Sequence, residues 1–225
     1  HMEYGLIFDM DGVVIDSNPY HKIAWEKFLT GQGIHFDDEL FDKVLSGRTG
    51  PTSIRLLFGD DLPLEILDRF LSEVDGNYQN LLRESKDIKP IAGLFAFLRQ
   101  VQEKRIPMAL ATSAPELNIE LGLQKLELEN TFEYIIGKVD VKHGKPHPEV
   151  YLKALDLLGL PAENCIVFED SRAGVQSALS AGIKVVGIAS GHTKEELLEE
   201  GVTMAVDDFT DIELHEVLTL IEKEV

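Results

Sequence analysis

Acidic side chains, a hydroxyl and a lysine follow or flank short apolar runs of this sequence, and together these residue types can carry out phosphoryl transfer. Carboxylates supply oxygen ligands for Mg²⁺ and a nucleophile, while a hydroxyl and an ammonium group hold a phosphate. Each motif alone is a weak signal, but their order along the chain is hard to obtain by chance. The motifs are Phe8-Asp9-Met10-Asp11-Gly12, Ala111-Thr112-Ser113, Gly144-Lys145-Pro146 and Phe168-Glu169-Asp170.

Asp9 and Asp11 lie two residues apart after the first apolar run. In an extended chain such residues project to the same side, so both carboxylates are expected to face one pocket. We assign Asp9 as the nucleophile, ionised against Mg²⁺, and Asp11 as the general acid and then base. Taken alone, the Asp-x-Asp-Gly pattern also fits an acidic surface turn. A calcium-binding loop fits less well, because its twelfth position is Tyr20 and not glutamate.

Glu169 and Asp170 end another apolar run, and adjacent acids in that position suit a hard cation with oxygen ligands. Asp170 is the better candidate for direct ligation, whereas Glu169 binds the metal either directly or through water. The same two acids also fit the start of a helix, where negative charge interacts favourably with the helix dipole. The two roles are compatible.

The residues expected to hold phosphate are Thr112, Ser113 and Lys145. Thr112 follows an apolar run and precedes a helix that Pro115 can open, so its hydroxyl and the next backbone N–H groups suit a phosphate at a helix N-terminus. An ordinary N-cap is the alternative for Thr112. Lys145 lies between Gly144 and a proline, where a bent chain can direct the side chain inward; a solvated lysine is the alternative.

The remaining apolar runs predict an α/β fold. They are continuous rather than alternating, as in strands buried on both faces, and helical patterns separate most of them. Strands that alternate with helices predict a parallel sheet whose carboxyl ends bind ligands. The predicted strands are Tyr4–Phe8, Met108–Ala111, Tyr134–Ile136, Cys165–Phe168, Val185–Ile188 and Met204–Val206. The predicted helices include Ile91–Lys104, Arg172–Ala181 capped by Gly182, and an apolar stripe at Val150, Tyr151, Ala154, Leu155 and Leu158.

Residues 17–87 interrupt this alternation and predict an inserted helical cap. The segment contains no convincing strand and reads as three or four helices, separated at Gly31-Gln32-Gly33, at Gly47–Pro51 and at Gly59–Pro63. A packing domain without a role at the site is the alternative for it. We therefore expect a catalytic core made of residues 1–16 and 88–225, with the cap inserted after the first strand.

Composition narrows the possible partners. The formal charge of −19 on 225 residues argues against nucleic acid, whose backbone requires a basic protein surface. The chain has no apolar run near 18 residues and no charged-then-apolar leader, so we expect neither a membrane span nor export. Its single cysteine, Cys165, fits a reducing compartment. We expect a cytoplasmic monomer that binds a small phosphorylated substrate.

Taken together, the motifs resemble those of the haloacid dehalogenase superfamily of phosphotransferases over nearly the whole chain. Asp9 to Gly12, Thr112, Lys145 and Glu169-Asp170 match that family's motifs in order. Further features are similar to its β-phosphoglucomutase-like branch, namely Phe168–Ser171, Gly174, Ala181-Gly182, Asp16-Ser17-x-Pro19 and His21. The resemblance implies a Rossmann-like core, a mobile helical cap, Mg²⁺ and an aspartyl-phosphate on Asp9. It further implies that Asp11 is the acid/base and contributes its backbone carbonyl to the metal.

Substrate choice is expected to lie in the cap. Arg48 lies in a glycine-flanked turn and can bind a phosphate or a sugar hydroxyl, or remain a surface arginine. His21, in the first turn of the cap, contacts Asp11 or the substrate, or packs in the core. In the mutase of the resembling branch, a cap arginine and a cap lysine hold a second phosphate. Their aligned positions here are near Gly50 and at Val74, which carry no charge.

The residues therefore favour a Mg²⁺-dependent phosphatase of small metabolites, with a sugar phosphate first and pyrophosphate or another compact phosphate as further candidates. A hexose-phosphate mutase is the second hypothesis. The third is a signalling domain that accepts phosphate on aspartate without turnover. Such receiver domains are shorter than this chain. They also lack an insert like the helical segment of about 70 residues at 17–87.

Overall fold

The computed structural model of this chain describes residues 2–45 and 48–223. Contacts among the described residues divide the chain into two compact units. The core unit comprises the residues up to Asp16 and those from Ile88 onward, and the helical unit is Ser17–Asp87. That the helical unit serves as a cap stays a prediction.

The core unit is built on a parallel sheet, six-stranded in the described residues, with the strand order β3-β2-β1-β4-β5-β6. Residues in β1, β2 and β4 are buried throughout, which explains why these strands read as continuous apolar runs. The strands are β1 Gly5–Phe8, β2 Met108–Ala111, β3 Tyr134–Ile136, β4 Cys165–Glu169, β5 Lys184–Ile188 and β6 Met204–Val206.

All the predicted strands are present, with shifts of one residue at three ends. Tyr4 lies outside β1, Glu169 belongs to β4, and Lys184 begins β5. The position of Glu169 has consequences for the site, because its direction is fixed by ladder pairing with Gly187 rather than by a loop.

The order of the strands places β1 at the centre of the sheet. From β1 the chain proceeds to β2 and β3 on one side, and then returns to β4, β5 and β6 on the other. A crevice forms outside the carboxyl ends of the strands where the order reverses, and ligands bind there in open α/β sheets. The described fold therefore brings the residues after β1, β2 and β4 to one edge.

The helices that pack on the sheet are largely those expected from the sequence. The predicted helix over Ile91–Lys104 is shorter, because Gly93 adopts φ +78° and α5 begins at Leu94. Gly182, with φ +80°, follows the end of α8 as expected. The helices of the core unit are α5 Leu94–Glu103, α6 Glu116–Lys125, α7 Glu149–Leu158, α8 Arg172–Ser180, α9 Lys194–Glu199 and α10 Leu214–Glu222.

The helical unit contains α1 Asn18–Gly31, α2 Asp38–Leu40 continued by a π-helical turn at Phe41–Leu45, α3 Gly50–Phe58 and α4 Leu64–Glu84. Aromatic contacts among Trp25, Phe28, Phe58 and Phe70 form part of its interior. The separation predicted at Gly47–Pro51 is wrong at its end: α3 already begins at Gly50, because Pro51 is favourable in a first helical turn. Gly47 lies outside the described residues. In the described part of the chain, no helix has the length and apolar character needed to cross a membrane.

Candidate active site

Three buried carboxylates meet at the central edge of the sheet. Phe8 of β1 pairs with Phe168 of β4, and the backbone N–H of Asp9 donates to the carbonyl of Phe168 at 3.0 Å. This register places Asp9 beside Glu169 and Asp170. Their carboxylates offer oxygen atoms that all lie within 4.8 Å of one another, the only such group found among the described residues.

Burial and mutual repulsion raise the pKa values of two of these acids. Burial, followed by repulsion from Glu169, raises the pKa of Asp9 to about 7 even though Lys145 opposes the shift. Burial and the charges of Asp9 and Glu169 raise the pKa of Asp170 well above its usual range. Asp11 adds to the repulsion at both groups, so it also lies close to this cluster. Ionised carboxylates at this density require a compensating positive charge.

Lys145 supplies one such charge from the loop before α7. Its side chain is 7% exposed, and Nζ donates to Asp9 Oδ1 at 3.0 Å, to Glu169 Oε1 at 2.6 Å and to the Ala111 carbonyl at 3.0 Å. Burial alone would lower the pKa of Lys145, but the two carboxylates outweigh burial and raise it above the ordinary lysine range. Lys145 is thus a buried ammonium group and not a solvated one.

The donor set fits a divalent cation. When ionised, the three carboxylates exceed the charge of Lys145 by two negative charges, and their oxygens are the ligand type that Mg²⁺ selects. A bound cation would also offset the repulsion that raises the pKa of Asp9 and Asp170. The residues present are therefore suited to hold Mg²⁺.

Thr112 follows β2 at the same edge, and the residue is 2% exposed. It is not an N-cap, since Pro115 occupies the N-cap position of α6. Its Oγ1 instead accepts from the Ala114 N–H at 3.1 Å, which leaves the hydroxyl proton to donate elsewhere. Ser113 is exposed. A donor from Thr112 toward an anion at this edge is compatible with that geometry.

Asp170 lies against the turn that follows Asp11. Gly12 adopts φ +77°, and a Cβ atom built there would lie 2.1 Å from Asp170 Oδ2. The Ser190 hydroxyl donates to the Gly12 carbonyl at 2.5 Å, which ties the turn to the loop after β5. Gly12 is thus needed both for its backbone conformation and for the approach of the carboxylate.

The sequence interpretation missed two contacts of Glu169. Tyr151, assigned only to an apolar stripe, donates its hydroxyl to Glu169 Oε1 at 2.5 Å. Gly174, in the first turn of α8, leaves room for the same carboxylate, because a Cβ atom there would lie 2.0 Å from Glu169 Cδ. A buried tyrosine hydroxyl needs a partner, so a tyrosine on a sheet-facing stripe was a usable signal.

Replacing Gly174 with alanine is expected to destabilise the protein by about 1–3 kcal/mol, the usual cost of overpacking. Glycine-to-alanine changes inside helices otherwise stabilise by roughly 0.5–1 kcal/mol. Gly76 of α4 is a matched control, because a Cβ atom there meets nothing within 4 Å. Urea unfolding of Gly174→Ala and Gly76→Ala should move in opposite directions, and a stabilised Gly174→Ala protein would contradict the close approach of Glu169.

His21 and Arg48 lie in the helical unit. The His21 ring stacks on Tyr78 with centroids 3.8 Å apart and an interplanar angle of 7°. Arg48 is exposed, and its Nε donates to the Lys43 carbonyl at 3.1 Å. These contacts give both side chains partners within their own unit, and their roles toward a substrate stay predictions.

The two positions aligned with mutase cations point into the helical unit. Val74 is 5% exposed, and a Cβ atom built on Gly50 would lie 2.8 Å from Leu71 Cδ2. Neither position therefore accommodates a long cationic side chain without rearrangement.

Comparisons with known proteins agree with this fold. The family profile of haloacid dehalogenase-like hydrolases matches residues 6–188. A phosphorylated carbohydrates phosphatase of Thermotoga maritima is 34% identical over 206 residues, which cover 89% of this chain and 93% of that protein. A β-phosphoglucomutase of Bacillus subtilis is 27% identical over 191 residues, which cover 83% of this chain and 84% of that protein. The crystal structure of a family IA, variant 3 hydrolase from Entamoeba histolytica superposes with a TM-score of 0.90 at 32% identity, covering 98% of this chain and 100% of that one.

The chain therefore belongs to the haloacid dehalogenase-like hydrolase family, as the motifs indicated. Its parallel sheet with flanking helices is the Rossmann-like fold of that family. Membership in a hydrolase family also sets aside the hypothesis of a receiver domain without turnover.

Proposed function

We propose that this protein is a Mg²⁺-dependent phosphatase of small phosphorylated metabolites that works through an aspartyl-phosphate on Asp9. The observation that carries the proposal is the Asp9 carboxylate, buried between two further acids and 3.0 Å from the ammonium group of Lys145. A carboxylate so placed can attack phosphorus while the neighbouring cation screens its charge.

In the first step, an Asp9 oxygen bonds to phosphorus and the ester P–O bond breaks. Asp11 donates its proton to the leaving oxygen, which departs as an alcohol. In the second step, Asp11 takes a proton from water, and that water attacks phosphorus to release inorganic phosphate and restore the Asp9 carboxylate. Thr112, with Ser113 at the same loop, holds phosphoryl oxygens during both steps, and Lys145 would turn the donor that points to Asp9 toward a phosphoryl oxygen.

Mg²⁺ bound by Asp9, Asp170, the Asp11 backbone carbonyl and Glu169, directly or through water, would supply the positive charge that stabilises the transferring group. The chain supports this assignment through its surplus of buried carboxylates. The helical unit, as a cap, would exclude water and recognise the alcohol part of the substrate, with His21 and Arg48 as the candidate contacts.

Sugar phosphates are the favoured substrate class. The relative from Thermotoga maritima is named as a phosphatase of phosphorylated carbohydrates, and its similarity spans most of both chains. Pyrophosphate and other compact phosphates remain candidates, because the core acts on the phosphoryl group that all of these share.

The direct test is release of inorganic phosphate, with Mg²⁺, from a panel of sugar phosphates, other phosphate esters and pyrophosphate. We expect turnover with at least one phosphomonoester, with sugar phosphates among the best. A panel without turnover, using protein shown to be folded and loaded with Mg²⁺, would contradict the proposal.

A mutase is the second candidate, since one relative carries that name. A mutase must protect its phosphoenzyme from water until a second sugar hydroxyl arrives, which requires cap cations that grip a bisphosphate. Val74 and Gly50 supply no charge; Val74 is buried, and a Cβ atom on Gly50 would meet Leu71 of the same unit. With β-glucose 1-phosphate, Mg²⁺ and a trace of glucose 1,6-bisphosphate, we therefore expect phosphate release to exceed glucose 6-phosphate formation.

Both products are followed in the same reaction. Glucose 6-phosphate that forms much faster than phosphate would establish the mutase and contradict our preference. In that event, Arg48→Ala would show whether this guanidinium group, with its five donors, substitutes for the missing cations.

A further inference from the structure

Tyr151 combines an apolar environment with a polar contact at the site. It lies in the first turn of α7, its side chain is fully buried, and it belongs to the same apolar cluster as Ala111 and Val167. Its hydroxyl nevertheless donates to Glu169 Oε1 at 2.5 Å. The ring thus fills core space while the hydroxyl reaches the carboxyl end of β4.

Glu169 is held from several directions. Its Oε1 accepts from both Tyr151 and Lys145, and its Oε2 accepts from the Asp170 N–H at 3.2 Å. Gly174 lies against the carboxylate on the side of α8. The carboxylate therefore cannot rotate without breaking hydrogen bonds in a buried setting, where their loss is costly.

The position of the Lys145 ammonium group depends on the Glu169 carboxylate. An ammonium group has three donors, and those of Lys145 point to Glu169, the Ala111 carbonyl and Asp9. Two of these acceptors belong to the sheet, and the third is the proposed nucleophile. The Tyr151 ring lies below the ammonium group, with Nζ 5.1 Å from its centroid. Tyr151 thus supports Lys145 twice, through its ring and through Glu169.

We propose that Tyr151 is a positioning residue, whose hydroxyl fixes Glu169 and thereby holds the Lys145 ammonium group against Asp9. The inference rests on the proposed phosphatase function for its kinetic consequence, but not for the contact itself. Outer residues that orient the groups of a site typically change activity by about 10-fold to 100-fold when they are replaced.

The test is Tyr151→Phe, which keeps the ring and removes only the hydroxyl. We expect kcat for phosphate release to fall by about 10-fold while KM changes little, because a loosened Lys145 affects the reacting group more than the rest of the substrate. The thermal midpoint of the metal-free protein should fall by on the order of 5 °C. Tyr4→Phe is the matched control, since Tyr4 donates to Glu222 at the other end of β1, and its kcat should stay at the wild-type value.

A double-mutant cycle with Glu169→Ala separates positioning from packing. Without the carboxylate, Tyr151→Phe should alter both kcat and the thermal midpoint much less than it does in the wild-type background. Gly174→Ala, which displaces the same carboxylate, provides a second background if Glu169→Ala does not fold. A lower midpoint with unchanged kcat would overturn the proposal, as would a kinetic loss of equal size in both backgrounds.

The failure of the proposed function would appear differently. If folded wild-type protein releases no phosphate from any compound of the panel, the phosphatase assignment is wrong. The thermal cycle on metal-free protein then decides the inference about Tyr151. If the shifts in thermal midpoint caused by the two substitutions are coupled, the positioning contact is supported. If the two shifts simply add, the inference is overturned.

Discussion

Replacing Asp9 with asparagine is expected to lower kcat for phosphate release by about 10³-fold or more, the scale of losing an essential catalytic group. The change keeps the shape of the side chain but removes the charged oxygen that attacks phosphorus. Folding should survive, because burial and Glu169 disfavour the ionised form and raise the pKa of Asp9 to about 7. Initial rates on the best substrate of the panel, together with a thermal melt, measure both effects.

Asp156→Asn is a matched control for this experiment. Asp156 is an exposed residue of α7, and the same chemical change there should leave kcat unaltered. Near-wild-type turnover in carefully purified Asp9→Asn protein would rule out Asp9 as the nucleophile. A loss of activity accompanied by unfolding would instead show that the carboxylate is needed for the structure.

Removal of divalent metal is expected to abolish turnover, and Mg²⁺ should restore it. The buried carboxylates offer only oxygen ligands, so Mg²⁺ is favoured over soft metals. Ca²⁺ prefers longer bonds and looser coordination, so it should support turnover poorly. Full activity after exhaustive chelation and metal-free dialysis would count decisively against a metal site at these residues.

Binding of Mg²⁺ can also be measured without a substrate, through the stability of the folded protein. Mg²⁺ at about 100 times its Kd should stabilise the folded protein by about 2.7 kcal/mol.

In the metal-free protein, the raised pKa of Asp9 means that folding favours its protonated form. That contribution is present at low pH and is lost as pH rises from the unfolded value through about 7. Because the cation competes with protons, its stabilising effect should be larger near pH 8 than near pH 5.

Some features of the fold followed from local sequence. Strands buried on both faces must be apolar at every position, so the runs Met108–Ala111 and Cys165–Phe168 could be recognised without a structure. Helix limits were less accurate. The start of α5 at Leu94 depends on Gly93, where a Cβ atom would lie 2.6 Å from the Thr210 backbone nitrogen. That constraint comes from a residue far along the chain and has no local signal.

The acidic part of the site was predictable for a related reason. Asp9, Glu169 and Asp170 each follow or end a buried run, and the carboxyl ends of parallel strands share one edge. Strand pairing between β1 and β4 then makes these residues neighbours. The prediction needed only the identity of the strands and the rule that ligands bind at the carboxyl ends of parallel strands.

By itself, the sequence determined the α/β class, the family motifs and the residue types that meet at the edge of the sheet. Only the tertiary structure decided how these residues support one another. The Lys145 ammonium group donates a hydrogen bond to Asp9, which lies 136 residues away in sequence, and the Tyr151 hydroxyl donates one to Glu169, which lies 18 residues away. Local patterns report which face of an element is buried. They do not report which polar atom on another element lies within hydrogen-bond distance, because that depends on the packing of α7 and β4 in three dimensions.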